Sequence, residues 1–292
     1  MLDYLYIDPH WILAYRTEAL TVFFLGFSQY INYYFYMYAI ALGYWLSPRN
    51  RPFIYLGFLF PFTILLNSVI KGIIQIPRPD ASLHLVKAFG PNGFPSGDAQ
   101  LSTIFWLAIF MTWRSSPWRW LCLIPISLSA FSRVYLGVHS IYDVTGGVLL
   151  GILVIYLFYR PAVQEYVSRW YEDSRAGFWI FTAITVGVYG LVYRQQFLDP
   201  FIFSFVGMLI GYGIALPWIQ EKVPHPKRKY TIESYMNLAI AIILLYSFVM
   251  YTNVINLTDI PAVNYLAVLL KYAVVSFLIF AIVPKVMREK KA

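Results

Sequence analysis

The chain has 292 residues, of which 60% are hydrophobic, 20% are aromatic and only 12% are charged. Soluble domains carry about a quarter charged residues, so this composition excludes an ordinary soluble protein and indicates several membrane-spanning helices. The net charge of +8 suits cytoplasmic loops and anionic lipid head groups, and no nucleic-acid-binding pattern accompanies it. The single cysteine, Cys122, excludes an intrachain disulfide.

The apolar residues form long runs separated by short polar segments, and a helix needs about 20 apolar residues to cross a bilayer. We therefore predict an all-α, polytopic membrane protein with about nine transmembrane helices. Residues 1–17 suit an interfacial helix ahead of the first span, and the charged segments 160–177 and 220–235 are expected to be solvated loops. The predicted spans are 19–46, 53–71, 99–113, 118–136, 143–159, 178–194, 201–219, 236–255 and 263–284.

Lysine and arginine are distributed unevenly between the two sides that these spans define. One side carries 15 of them and the other carries 6, with Lys271 inside the ninth span. Because short cytoplasmic loops are enriched in these residues, the richer side is predicted to be cytoplasmic, together with the C-terminus. The long segment 72–98 then faces outward, which in a bacterium means the periplasmic face of the inner membrane.

The first polar cluster lies where the second span ends. Lys71 closes the apolar run, and Arg78 follows between Pro77 and Pro79. Prolines cannot continue a helix and push the preceding residue toward extended geometry, so the bend allows both cations to reach one point. Arginine and lysine are both phosphate-binding side chains. Taken alone, this pair is better explained as cations at the membrane edge that reach the head groups.

The second cluster is Pro95-Ser96-Gly97-Asp98, which precedes the apolar run beginning near Ala99. Serine is a favourable N-cap residue, and glycine lets a ligand approach the backbone. The free N–H groups at the start of a helix favour an anion. Taken alone, four such residues are more often an ordinary helix start.

The third cluster combines a cation, a histidine and a carboxylate. Arg133 ends the fourth span, His139 follows six residues later, and Asp143 is four residues beyond His139. On a helix the last two would share a face, so that the carboxylate would orient the imidazole as a nucleophile. Ionisable residues near a membrane boundary are costly and tend to be functional.

The order and spacing of the clusters are more specific than any one of them. Lys-x6-Arg-Pro, Pro-Ser-Gly-x and Ser-Arg-x5-His-x3-Asp resemble the three-part signature of the type-2 phosphatidic acid phosphatase superfamily. That superfamily includes lipid phosphate phosphatases, undecaprenyl pyrophosphate phosphatases, glucose-6-phosphatase and vanadium haloperoxidases. The resemblance covers about residues 53–160. It implies a phosphatase core within 18–177, formed by the first five or six helices, and additional C-terminal helices in 178–292.

The resemblance also implies a role for each matched residue. Ser96 and the Gly97 N–H would complete a phosphate cradle, His139 would attack phosphorus to form a phosphohistidine, and Asp143 would orient His139. No metal and no other cofactor are implied, because cations neutralise the phosphate. The residues that would hold the phosphate oxygens are Lys71, Arg78 and Arg133.

The sequence departs from the family pattern at Asp98, where the second motif normally ends in a histidine. In the family that histidine is the general acid that protonates the leaving alcohol. Histidine, with an ordinary pKa of about 6.5, donates a proton at neutral pH, whereas aspartate, at about 3.9, is mostly ionised. Three interpretations stay open: an acid-shifted phosphatase, an enzyme for pyrophosphates whose leaving group needs little protonation, or an inactive form.

The leading functional hypothesis is dephosphorylation of a lipid phosphate or pyrophosphate at the outer leaflet, with the phosphorylated lipid and the surrounding membrane lipids as the expected partners. One alternative is a phosphotransferase that moves phosphate between a lipid-linked donor and an acceptor. Another is a catalytically inactive phosphate-lipid-binding or transport protein, which Lys271 within the ninth span would suit. A sugar phosphatase similar to glucose-6-phosphatase is a lesser alternative.

Overall fold

The computed structural model describes residues 9–47, 51–172, 175–193, 200–219, 232–253 and 260–286. Within these ranges the chain is helical apart from short connections and the longer segment 75–96 between α3 and α4, and the extended structure amounts to an isolated bridge between Pro77 and Asn92. The prediction of an all-α fold is therefore confirmed. The α-helices are α1 (Glu18–Tyr30), α2 (Tyr33–Leu46), α3 (Arg51–Ile74), α4 (Gly97–Thr112), α5 (Leu123–Tyr135), α6 (Ile141–Phe158), α7 (Pro161–Glu172), α8 (Arg175–Val192), α9 (Pro200–Ala215), α10 (Ile232–Asn253), α11 (Pro261–Phe277) and α12 (Val283–Val286).

Five helical stretches among the described residues are long and apolar enough to cross a membrane. This supports a multi-pass membrane protein, while the number of about nine spans stays a prediction. The stretches are Arg51–Ile74, Ile141–Phe158, Arg175–Val192, Phe201–Trp218 and Pro261–Ile282.

Two of the predicted segments differ from the structure. The span predicted at 19–46 is two helices, because the Asn32 side chain accepts hydrogen bonds from the N–H groups of Tyr34 and Phe35 and so starts α2 anew. The prediction of a solvated loop at 160–177 is wrong, since α7 occupies most of that segment. Val167 and Trp170, three residues apart, are buried on one side of this otherwise polar helix. Much of the other predicted loop, 220–231, lies outside the described residues.

The chain divides into two compact units, and the first is drawn from residues 1–39 and 66–164. In this unit α6 packs closely on α4 because two glycines remove side chains from the contact. A Cβ atom on Gly147 would collide with the Ser96 carbonyl oxygen, and one on Gly151 would lie 2.7 Å from the Cβ of Thr103. Small residues four apart are a common means of close helix packing in membranes.

The described part of the N-terminal segment packs against the end of α5. A 3₁₀ turn at Pro9–Tyr15 buries Ile12 in a cluster with Phe24 and Tyr135. Arg16 then donates hydrogen bonds to the carbonyl oxygens of Leu83 and Tyr135, at 2.6 and 3.0 Å for Nη2. These contacts fix the loop that follows α3; an interfacial role for residues 1–17 stays a prediction.

The second unit is drawn from residues 40–65 and 165–292. Within it α9 packs on α11 through Gly207 and Gly211, where any Cβ would collide with the carbonyl oxygens of Leu269 and Ala273. After α11 the helix opens into a π-helical turn at Leu278–Ile282. The indole N–H of Trp45 donates to the Ile279 carbonyl oxygen at 2.8 Å, which satisfies a backbone group in that turn.

Candidate functional site

The three polar clusters of the sequence analysis, which match the three motifs of the family signature, all lie in the first unit, at or near the ends of helices. Lys71 is in the last turn of α3, and Arg78 is in the loop that follows it. Ser96 is the N-cap of α4, and Gly97 and Asp98 are its first two residues. Arg133 is in the last turn of α5. His139 lies two residues before α6, and Asp143 lies in the first turn of that helix.

Asp143 reaches His139 through a helix cap. The Ser140 side chain accepts from the Asp143 N–H at 3.1 Å, and Asp143 Oδ2 accepts from the Ser140 N–H at 2.8 Å. This reciprocal pair is a capping box at the start of α6. The same Oδ2 atom lies 3.3 Å from Nδ1 of His139. The contact expected from the spacing is present, but it does not arise from a shared helix face, because His139 precedes the helix.

The hydrogen bonds around His139 fix its tautomer. Arg78 Nη1 lies 3.1 Å from Nε2 of His139. A guanidinium group can only donate hydrogen bonds, so Nε2 must be the acceptor and carries a lone pair. Nδ1 then holds the proton and donates it toward Asp143 Oδ2. His139 is thereby a neutral imidazole whose Nε2 lone pair is the one that could act as a nucleophile.

Burial keeps His139 in this neutral form. The pKa of His139 is lowered to about 4, mainly by desolvation and also by the positive charges of Arg78 and Lys71, while the hydrogen bond to Asp143 opposes the shift. At neutral pH the imidazole is therefore uncharged, as a nucleophile requires.

Arg78 is aimed at His139 by backbone carbonyl groups. Its Nε donates to the Gly90 oxygen at 2.9 Å, its Nη2 donates to the Phe89 oxygen at 2.6 Å, and its Nη1 donates to the Val138 oxygen at 2.9 Å. The guanidinium group thus joins the loop after α3 to the residue that precedes His139. A phosphate at Nε2 would meet this cation directly.

Lys71 anchors the loop that leads to the second motif. Its ammonium group donates to the carbonyl oxygens of Asn92 and Gly93 at 3.0 and 2.7 Å, and the Asn92 side chain donates back to the Lys71 oxygen at 3.0 Å. A Cβ atom on Gly93 would lie 2.7 Å from Oδ2 of Asp143, so only glycine lets the backbone pass here. The two bonds use two of the three ammonium protons.

The Ser96 hydroxyl is buried at the start of α4. Ser96 is fully buried, and its backbone N–H donates to the Asp143 carbonyl oxygen at 2.9 Å. Its position as N-cap matches the sequence expectation, but its side chain makes no capping bond. In the described part of the chain Oγ has no hydrogen-bond partner, and a buried hydroxyl is costly without one. It is therefore available to a bound anion.

Asp98 pairs with a predicted phosphate-binding cation. Its Oδ2 lies 3.2 Å from Nη1 of Arg133; the Asp98 side chain is 39% exposed and the Arg133 side chain only 10%. Arg133 also donates to the Ser28 hydroxyl at 2.7 Å and, at 3.4 Å, to the hydroxyl of Ser132. The residue that departs from the family pattern is thus a carboxylate that occupies part of the donor surface of Arg133.

Several residues of the site escaped the sequence analysis. Ser28 and Asn67 are polar residues within predicted spans, each followed by one further polar residue, Gln29 or Ser68, and polar side chains inside a span were the available signal. Ser140 with Asp143 fits the spacing of a capping box, which was a second signal. Among the described residues no group of three or more His, Cys, Asp or Glu side chains is placed to hold a metal ion.

Comparisons with known proteins agree on one family. The profile of the PAP2 superfamily matches residues 52–165, a segment that contains all eight predicted site residues. Lipid phosphate phosphatase delta of Arabidopsis thaliana is 27% identical over 185 residues, which are 56% of this chain and 44% of that protein. Bacitracin transport permease protein BcrC of Bacillus licheniformis is 31% identical over 144 residues, which are 46% of this chain and 70% of that protein.

An archaeal relative is also similar. The undecaprenyl-diphosphatase of Sulfolobus acidocaldarius is 31% identical over 103 residues, which are 34% of this chain and 49% of that protein. The chain therefore spans less than half the length of the plant and archaeal relatives and more than two thirds of the Bacillus one. No solved structure matches the chain.

Proposed function

Since this chain belongs to the PAP2 superfamily, we propose that it is a membrane phosphatase that hydrolyses a phosphorylated lipid through a phosphohistidine at His139. The observation that carries the proposal is the state of His139, which presents an Nε2 lone pair to Arg78 while Nδ1 is held by Asp143. The names of the relatives, a lipid phosphate phosphatase and an undecaprenyl-diphosphatase, support a lipid as the substrate.

The proposed reaction has two displacements at phosphorus. In the first, Nε2 of His139 attacks, the bond from phosphorus to the leaving oxygen breaks, and the phosphoryl group rests on His139. In the second, water attacks phosphorus, the P–N bond breaks, and inorganic phosphate leaves. Asp143 balances the positive charge that develops on the imidazole.

We expect the phosphate oxygens to be held by Arg78, which already contacts Nε2, together with Lys71 and the start of α4. Arg78 would transfer its Nη1 contact from the imidazole to an oxygen, and Lys71 would contribute its remaining ammonium proton. The Ser96 hydroxyl and the Gly97 N–H would bind oxygens at the start of α4, where the helix dipole favours an anion. Such preorganised donors are a major source of transition-state stabilisation.

In this proposal Asp98 decides whether a lipid diphosphate or a lipid monophosphate is the better substrate. A carboxylate paired with Arg133 is poorly suited to donate a proton to a leaving group. A lipid alcohol leaves badly without that proton, whereas a phosphate monoester, whose second pKa is about 6, leaves as a stable anion. We therefore place a lipid diphosphate ahead of a lipid monophosphate, with an acid-dependent enzyme and an inactive form as the competing outcomes.

The site is proposed to face the outer side of the membrane. Lys71 closes a candidate span at its C-terminal end, and Asp143 opens another at its N-terminal end, so both lie near a membrane boundary. A lipid could keep its tail in the bilayer and present its phosphate there. The excess of lysine and arginine in the other loops supports the periplasmic or luminal side for this boundary.

The test is phosphate release by the purified protein in the absence of an acceptor, with His139→Ala as the blank. A polyprenyl diphosphate and phosphatidic acid are compared from about pH 4.5 to 8. We expect turnover of the diphosphate and little of the monophosphate, and we expect Asp98→His to raise monophosphate turnover by roughly 10²–10⁴-fold. Asp98→Asn is the matched control, because it removes the charge without supplying a proton donor.

Three other results would contradict parts of the proposal. Turnover only near the acid end would favour an acid-dependent Asp98. Phosphate release by Asp98→His and none by the unmodified chain would identify an inactive form. No release by either protein would count against hydrolysis, and phosphate transfer to an added lipid acceptor would then identify a phosphotransferase.

A further inference from the structure

Asn67 is a buried amide within an apolar helix. It lies on α3, one turn before Lys71, and is only 5% exposed. A polar side chain within a membrane-spanning helix is costly unless its hydrogen bonds are made. The sequence around it, Ile64-Leu-Leu-Asn67-Ser-Val-Ile70, has no motif that accounts for an amide at this position.

The Asn67 amide nitrogen makes two hydrogen bonds to the second motif. It donates to the Pro95 carbonyl oxygen at 3.2 Å and to Oε1 of Gln100 at 2.7 Å. Both N–H groups of the amide are thereby used. Pro95 immediately precedes Ser96, and Gln100 lies in the first turn of α4 and is fully buried. One side chain of α3 therefore holds the two sides of the turn that carries Ser96 and Gly97.

The segment that leads to Ser96 and Gly97 is also held by Lys71 and Asp143. Lys71, on the same face of α3 as Asn67, binds the carbonyl oxygens of Asn92 and Gly93, and the Ser96 N–H binds the Asp143 carbonyl oxygen. A Cβ atom on Gly97 would lie 3.3 Å from Oδ1 of Asn67. The start of α4 is thus held by contacts from both α3 and α6, and Asn67 supplies contacts from α3 to Pro95, Gly97 and Gln100, on both sides of Ser96.

We propose that Asn67 is a positioning residue, which sets the Ser96 hydroxyl and the first N–H groups of α4 where they hold the phosphate oxygens in the transition state. The inference rests on the proposed function, since those groups act only if the site binds a phosphate. Without the two hydrogen bonds the turn can shift toward or away from His139. A displacement of about 1 Å in a positioned group is able to cost roughly 10²-fold in rate.

A matched set of variants separates this role from a contribution to folding. Asn67→Leu removes both hydrogen bonds and keeps the approximate volume. Thr63→Val is the control, because Thr63 is one turn earlier on α3, is 1% exposed, and has a hydroxyl with no hydrogen-bond partner among the described residues. Gln100→Leu removes one of the two bonds and leaves the bond to Pro95.

Kinetics are measured with the substrate that the unmodified protein hydrolyses. For Asn67→Leu we expect kcat to fall about 10- to 100-fold with KM changed less than about threefold, because the lost contacts act in the transition state. Thr63→Val should retain the kcat of the unmodified protein. Gln100→Leu should cost less than Asn67→Leu, and the double variant should cost no more than Asn67→Leu alone, because Gln100 is coupled to the turn through Asn67.

A second measurement does not depend on turnover. Orthovanadate, an analogue of the pentacoordinate phosphoryl group, is titrated against each variant by tryptophan fluorescence. Asn67→Leu should bind it at least about tenfold more weakly than Thr63→Val does. If the unmodified protein is inactive but binds vanadate, the proposed function fails and this affinity ratio still decides the role of Asn67.

The inference would be overturned by any of three results. These are an unchanged kcat in Asn67→Leu, a loss of kcat matched by an equal loss of folded protein, or equal vanadate affinity in the two variants. Absence of vanadate binding by the unmodified protein would overturn the inference together with the proposed function.

Discussion

At the scale of single residues, one carboxylate oxygen of Asp143 makes two contacts with different roles. Oδ2 of Asp143 accepts from the Ser140 N–H and faces Nδ1 of His139. The helix cap therefore fixes the carboxylate, and the fixed carboxylate orients the imidazole. His139 and Asp143 therefore do not need to share a helix face. The His-x3-Asp spacing brings the two side chains into contact although His139 lies outside α6.

The charge of Asp143 is expected to matter more than its shape. Asp143→Asn keeps an oxygen that is able to cap α6 but removes the negative charge beside the imidazole. We expect kcat to fall roughly 10²–10⁴-fold in phosphate-release assays, with the protein still folded. Asp80→Asn is the control, because Asp80 is an exposed carboxylate in the loop after α3 that caps the Ser82 N–H. An equal effect of both changes would contradict the role of Asp143.

The acid side of the pH profile should report the pKa of His139. The proposed attack by His139 requires the neutral imidazole, and burial lowers the pKa of His139 to about 4. Protonation of His139 should therefore leave kcat/KM unchanged as the pH falls past 6.5. It should lower kcat/KM only as the pH approaches about 4. Because the charge of Arg78 lowers this pKa, Arg78→Gln should move the acid limb to higher pH while lowering the rate. A limb near pH 6.5 in the unmodified protein would contradict the assignment.

At the scale of helices, the contact between α4 and α6 brings the second and third motifs together. Gly147 lies against the Ser96 carbonyl oxygen, with the backbone N of Gln100 only 3.3 Å from the position of a Cβ. Gly147→Ala should therefore push the start of α4 away from Asp143. We expect a loss of about 1–3 kcal/mol in stability and a fall in kcat, measured by thermal unfolding in detergent and by phosphate release.

The control for this change is a glycine in a helix with open space around it. A Cβ atom on Gly187 of α8 would meet nothing within 4 Å. Gly187→Ala should leave activity unchanged and stability unchanged or slightly raised, since alanine is the better helix former by about 1 kcal/mol. Equal effects of the two substitutions would show that the α4–α6 contact tolerates a side chain.

The charged residues of the three motifs could be predicted from the sequence, whereas the contacts that hold those motifs in place could not. Lys71, Arg78, Arg133 and His139 stand out because charged residues are rare in so apolar a chain. Asn67 is one amide in a largely aliphatic stretch, and its partners Pro95 and Gln100 are 28 and 33 positions away, so only the folded structure reveals its contacts. The amphipathic helix α7 was missed because its charged residues suggested a solvated loop.

At the scale of the whole molecule, composition is sufficient to predict the fold class but not the number of spans. The 16 residues of α4 extend about 24 Å, and α5 has 13 residues, whereas a hydrocarbon core is about 30 Å thick. Hydropathy alone cannot decide whether helices this short cross the bilayer. The topology therefore rests on the count of lysine and arginine, and it is open to direct measurement.

Cysteine labelling of the segments before and after α4 tests that topology. In a Cys122→Ala background, which removes the one native cysteine, new cysteines are introduced at the exposed positions Lys87 and Ser115. If α4 crosses the membrane and the site faces outward, Lys87→Cys reacts with a membrane-impermeant maleimide on intact cells. Ser115→Cys then reacts only after permeabilisation, because Arg114 and Arg119 assign its loop to the cytoplasm. Labelling of both positions from outside would mean that α4 does not cross, whereas labelling of Ser115→Cys alone would reverse the orientation and place the phosphate site on the cytoplasmic face.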